Sequence, residues 1–374
     1  MGSPRGSVRT QTPGLAPEYN HDLNVADAFL AGFPLIRTAL KDQRLLNAFG
    51  SYEAEAKLHK RRFHRLGLLS LLCALLALIS SGAAAIIGQS ISNKLPRTSA
   101  LVEFGSVISI VLIVWNRAAR HRVRWCEAVF CRERLRQWHF QLFLDGQLMG
   151  LLVDQPAAFH KELDRRWGLL QQNLRDGYGA MAAFVHHGSR ADDFFHQPSA
   201  YPDASLARIA LEALWILRIG HQLRYGQRKI EPTGELAELA LDEHASLSET
   251  VASFTLAGAV VVGALGFALS LSHLVPGFGP LSQNVDATSR VLSGSALLLA
   301  VLSAASRAYR AGYTLPDEAE SYKEYSDRIR ELKAVFESTG SLEVKLWQLA
   351  HLEAESVKEL RRFLRMKMRA TFVF

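Results

Sequence analysis

From Leu66 to Asn93 the sequence has no Asp, Glu, Lys, Arg or His. The missing charge argues against a surface helix of a water-soluble domain, which keeps one polar face. A bilayer core is spanned by about 20 mainly apolar residues in a helix, so the block reads as a membrane span. Cysteine is scarce: Cys73 lies inside that apolar block, and Cys126 and Cys131 are separated by four residues on an expected helix. Three such residues, without matching His or Cys spacings, do not make a zinc signature and read as reduced thiols. The sequence also lacks a P-loop, GxGxxG, HExxH, a nucleophile elbow and a Cys–His pair, which lowers the case for an enzyme. No cofactor is expected. The first apolar block begins too late for a signal peptide, and "MGSPRG" has Gly6 where a myristoylation signal needs Ser or Thr.

What is present is strongly segregated. Of 374 residues 49% are hydrophobic, and the formal net charge is +7. The basic residues flank apolar blocks, as at Lys60, Arg61, Arg62 and Arg65 or Arg117, Arg120, Arg122 and Arg124. That placement matches the positive-inside rule and attraction to anionic headgroups, and no nucleic-acid recognition motif accompanies it. Three further apolar blocks follow the first: Ser99–Asn116, with Glu103 as its single charge; Val251–Val285, broken by "PGFGP"; and Val291–Ser306. Short linkers join the blocks as two hairpins, and the Lys and Arg residues concentrate in the other three segments. The expectation is therefore an all-α, four-span, multi-pass protein of the inner (plasma) membrane with both termini cytoplasmic.

The blocks carry no ionisable residue near their middles, where proton- or ion-coupled carriers usually need one. They carry small residues at four-residue spacing instead: Ala77, Ser81 and Ala85; Gly105 and Ser109; Ala259 and Gly263; Ala296, Ala300 and Ala304. Such stripes allow close helix approach, either in a homo-oligomer or within one four-helix bundle. Ser80, Ser81, Ser106 and Ser109 could line a narrow path or bond back to their own helices.

The expected organisation is a disordered N-terminus (1–23), a cytoplasmic helix (24–65), a first hairpin (66–116), a cytoplasmic helical region (117–250), a second hairpin (251–306) and a C-terminal helical hairpin (307–374). Span two is expected to continue into the cytoplasm as one long helix, since no Pro or Gly interrupts the chain before Gly146. Thr314, Pro316 and the following acids form a helix-start signal. Leu346, Leu349, Leu352, Val357, Leu360 and Leu364 give the last helix, Leu342 to about Arg369, an apolar face. His186, His187, Asp192, Asp193 and His196 cluster in a loop-like stretch; their spacing fits no metal signature, and no metal is expected there.

The chain resembles the SLATT superfamily, two-transmembrane effector domains of prokaryotic conflict systems. The features that carry the resemblance are the paired spans, the Arg-rich exit from span two, and Glu133, Leu135 and Arg136 followed by aromatics. An acidic helix then closes on a basic, aromatic tail. Two hairpins stand here where that family has one, with a helical insert from about Gly146 to Glu249. The resemblance implies an oligomeric effector that perturbs or permeabilises the membrane when a cytoplasmic sensor or activating protein triggers it. The alternative is a membrane scaffold or signalling protein that binds a partner through its helical region.

Overall fold

A computed structural model describes residues 22–87, 97–187, 198–224, 241–272 and 282–370. Its organising element is α3, Gln43–Ile87, an uninterrupted helix of 45 residues. At 1.5 Å per residue it is about 68 Å long, far more than a bilayer core requires. Its amino-terminal half belongs to a helical body and its apolar half to a bundle of long helices. Three short turns precede it: α1 (Asp27–Ala31), a 3-10 turn (Pro34–Ile36) and α2 (Arg37–Leu40), which bury Leu30, Phe33 and Ile36. Ala28 and Leu35 of this segment face outward.

The bundle consists of α3, α4 (Arg97–Ala118), α10 (Leu241–Ser272) and α11 (Ser282–Tyr313). Helix α3 packs on α4, α10 on α11, and α11 back on α3. Three helices are long and apolar enough to cross a membrane among the described residues: Gln43–Ser80, Ser246–Leu271 and Val291–Tyr313. The expected second span falls on α4 and is not one of the three. The bundle helices turn large apolar side chains outward, including Leu76, Ile110, Phe254 and Phe267. Water would not tolerate that much contiguous apolar surface; lipid or a partner surface would.

The body holds α5 (His121–Leu142), α6 (Gly146–Asp154), α7 (Pro156–Leu174), α8 (Gly177–His187), α9 (Ala204–Leu214), α12 (Leu315–Ser338) and α13 (Leu342–Arg369). Among the described residues there is no strand, only an isolated bridge between Asp145 and Ser199. Helix α5 is the centre, packed by α3, α8 and α13. Phe130, Trp138, Phe140 and Phe143 on it are each at most 3% exposed. The terminal hairpin forms as expected: α13 spans Leu342–Arg369, and its six apolar-face residues are all buried.

One expectation fails. The chain does not run from α4 into α5 as one helix. Arg120 between them takes a left-handed conformation, φ 52° and ψ 27°. Left-handed backbone in a residue with a Cβ costs on the order of 1 kcal/mol, so packing must hold it. The Arg120 guanidinium lies 5.7 Å from the ring centre of Tyr178, on α8.

Candidate functional site

The small residues settle which helix surfaces meet. A Cβ on Gly105 would come 3.3 Å from the Ala77 Cβ, so these two mark the closest approach of α3 and α4. One on Gly263 would lie 3.5 Å from Ala296 Cβ, which marks the approach of α10 and α11. Ala259 is buried, Ala300 half-buried and Ala304 exposed. The side chains of Ser81 and Ala85 lie outside the described residues. The contact line of α11 on α10 runs Ser289, Leu292, Ala296, Leu299, Ser303, Ser306, Arg310. Those steps alternate three and four, the 3.5-residue period of a left-handed seam. A strict four-residue stripe drifts off such a seam, and Ala304 is where it has left.

Serines bolt both hairpins. Ser109 Oγ donates to Ser70 O (3.0 Å) while Ser70 Oγ donates to Ser109 O (3.3 Å), across α3 and α4. Ser289 donates to Gly266 O, Ser303 to Ala252 O and Ser306 to Ser248 O, from α11 to α10. Ser109 therefore bonds a neighbouring helix.

Where the bundle meets the body, charges are buried and paired. Glu133 accepts from Arg132 (2.6 Å) and Arg136 (2.7 Å), and Arg132 also binds Glu53 on α3. The two guanidiniums hold the Glu133 carboxyl down at about 2 against the effect of its burial. Arg136 Nε also lies 3.0 Å from Asp22, and Leu135 is 1% exposed. Glu133 and Arg136 thus belong to one charge network that ties α5 to α3 through Arg132 and Glu53, and Leu135 is buried in the apolar core. A second pair is as deep: Arg218 reaches Glu353 on α13 at 2.6 Å and donates to Ser356 Oγ at 2.9 Å. Six residues of π-helical geometry, Trp215–Gly220, follow α9 and carry Arg218. Burial pushes the Glu353 carboxyl above its usual range, against the pull of Arg218. Arg132, Glu133, Arg136, Arg218, Tyr325 and Ser356 face a common cavity of about 360 Å3.

The second handover from bundle to body, α11 to α12, repeats the device of the first. Thr314 is left-handed, φ 54° and ψ 37°. Pro316, Asp317 and Glu318 open α12 as the sequence suggests, but the Thr314 hydroxyl caps nothing. It accepts instead from Lys367 Nζ (2.7 Å), which also donates to Tyr313 O (3.1 Å) and binds Glu318. Three residues further, Ala370 O accepts from Arg122 Nη1 at 2.5 Å, just past the left-handed Arg120. The end of α13 therefore braces both handovers. Sequence reading missed Lys367; a lysine on the apolar side of an amphipathic helix was the available signal.

Cys126 and Cys131 are free and buried, and burial pushes both thiols up to about 12, which leaves them unreactive. Of the His/Asp cluster only His186 and His187 fall on described backbone, at the end of α8; Asp192, Asp193 and His196 lie outside the described residues. Compared with known proteins, the chain matches no family model, no curated protein and no solved structure.

Proposed function

We propose that the chain is a non-enzymatic four-span membrane effector whose helical body controls the packing of its membrane bundle. On this reading α4 is the fourth span: Phe104, Val107, Ile110, Val111 and Val114 form an outward apolar face on it. Both termini are cytoplasmic, in the inner membrane of a prokaryotic cell. A cytoplasmic sensor or activating protein, and assembly of several copies, complete the proposal, in line with the SLATT-like layout. The observation that carries it is α3 itself. One long helix is tied to α5 at one end by extensive packing and the half-buried Glu53–Arg132 ion pair, and packs against α4 and α11 at the other. A change in the body therefore reaches the bilayer without crossing a flexible link. Regulated transitions of packed helices use such bistable contacts.

The scaffold reading has its own support: the serine bolts close both hairpins, and a closed bundle anchors without leaking. Induced expression in cells, with membrane potential and liposome dye release as readouts, separates the two. Depolarisation and dye release support the effector. An intact potential under every inducing condition, with stable capture of a cytoplasmic partner, would replace it by the scaffold.

A further inference from the structure

A cleft of about 1090 Å3 lies between the foot of α11 and the last turns of α13. Its walls carry seven basic side chains against two acidic ones, Glu249 and Asp317. Arg307 and Arg310 come from α11; Arg362, Arg365 and Arg369 come from α13, along one side of the helix. Topogenesis alone needs cations near a span. It does not need two elements far apart in sequence to converge them on one concavity.

We infer that this cleft binds the phosphate of an anionic phospholipid headgroup from the cytoplasmic leaflet; the inference rests on the membrane reading above. Several cations in the cleft are already engaged. Lys358 binds Glu355, Arg362 binds Glu324, and Arg365 donates to Val185 O. Others are not. Arg307 and Arg369 are exposed and form no ion pair among the described residues. Arg310 bonds Glu249 through Nη2 at 2.9 Å, but its Nε is buried and has no acceptor among the described residues. A buried N–H of a guanidinium without an acceptor is costly, and a phosphate oxygen would satisfy it. Guanidiniums also suit phosphate better than ammonium groups do, through their two-pronged geometry.

The position argues for lipid over a soluble phosphate compound. Ala252 and Ser253 line the cleft, at the start of the apolar stretch of α10. Beside them Val251 and Phe254 face outward, 44% and 75% exposed. Acyl chains lying along this face would deliver a headgroup into the cleft. A nucleotide would want a ring to stack its base on, and no aromatic side chain is among those described in the cleft wall.

The test uses the full chain. Alkaline carbonate extraction of membranes comes first, because recovery in the soluble fraction sinks the membrane reading itself. The purified protein is then incubated with equal phosphatidylglycerol and phosphatidylcholine, and bound lipid is counted by native mass spectrometry. Phosphatidylglycerol should be retained about tenfold over phosphatidylcholine, since one or two surface cations supply that much preference. Arg307→Gln with Arg369→Gln should bring the ratio close to one, and the paired Lys substitutions should keep most of it. Both arginines are exposed and form no ion pair among the described residues, so unchanged helicity is expected in both variants. A membrane-embedded protein with no preference, or with the same preference in the Gln variant, overturns the inference alone. So does a rise in melting temperature with pyrophosphate but none with phosphatidylglycerol, which would assign the cleft to a soluble ligand.

Discussion

Arg218 and Glu353 are each about 3% exposed on the side chain, in direct contact, from helices 135 residues apart in sequence. Removing one partner leaves the other charge buried without compensation. Arg218→Met alone should therefore cost about 3–5 kcal/mol of unfolding free energy, and Glu353→Leu a similar amount. The double variant should recover most of the loss, because two apolar groups leave no orphan charge. Denaturant titration of the detergent-solubilised chain measures all three. His139 is the second residue-scale case. It is 1% exposed, and neither ring nitrogen has a hydrogen-bond partner among the described residues. Burial pushes its pKa down to about 4, against the pull of Asp22 and Asp42. Unfolding returns it to about 6.5, so between these values the unfolded chain binds the extra proton. Its contribution is whole above pH 6.5 and falls away as the pH drops towards 4, by on the order of 3 kcal/mol in total. His139→Phe should flatten that part of the stability–pH curve while leaving the loss from Glu133, which comes lower, below pH 4.5. An unchanged slope between pH 6.5 and 4 in the variant would show that His139 is not the group responsible.

At the scale of elements, the hairpins turn on which small residues meet. Gly105→Leu forces a side chain into Ala77 and the Cys73 carbonyl, and Gly263→Leu forces one into Ala296. Both should separate their hairpins and lower the melting temperature by several degrees; overpacking of this kind costs about 1–3 kcal/mol. Ala304→Leu points outward and should leave the isolated chain unaffected. If Ala304→Leu instead breaks an oligomer seen by native electrophoresis, the stripe faces a second copy. The long helices were legible because uncharged runs, apolar periodicity and start signals are local in the sequence. The last helix, Leu342–Arg369, was read to its limits for that reason, whereas the boundary set at 307 falls inside α11. The break at Arg120 was not legible: no Gly or Pro announces it, and the Tyr178 ring that its guanidinium faces is 58 positions away. The seam of α11 was half legible. Ala296 lies on it, but its serines, Ser289, Ser303 and Ser306, drew no expectation, because only the packed pair shows the three-four alternation that sets them opposite α10. Glu133, Leu135 and Arg136 were picked out by resemblance; that Glu133 and Arg136 join a charge network with Arg132 depends on Glu53 and Asp22, which no local pattern connects to them.

At the scale of the whole molecule, the end of α13 touches both handovers from bundle to body, beside the continuous path through α3. Two strained residues, Arg120 and Thr314, sit at the two points where bundle helices hand over to the body. Strain of this kind persists only when neighbours hold it. Lys367 holds the second directly through three acceptors, and Ala370 receives Arg122 next to the first. Lys367→Met keeps an unbranched apolar side chain but removes the ammonium, which lies 5.8 Å and 5.7 Å from the Trp125 and Phe363 ring centres and binds Glu318. The consequence should be local. Amide hydrogen exchange at 312–318 should rise strongly, and exchange at 119–123 should rise with it, because displacing the last turn also moves the Ala370 carbonyl. The hairpin seams, held by their own serines, should keep their protection. If the body controls the bundle, the same variant should leak dye from proteoliposomes faster than the wild type, while Lys367→Arg stays close to it. Raised exchange at both handovers with no change in leakage would leave the brace intact as a structural device and remove it as a control on the membrane. Raised exchange at 312–318 alone would mean that the two handovers move independently and that α3, rather than α13, carries the coupling.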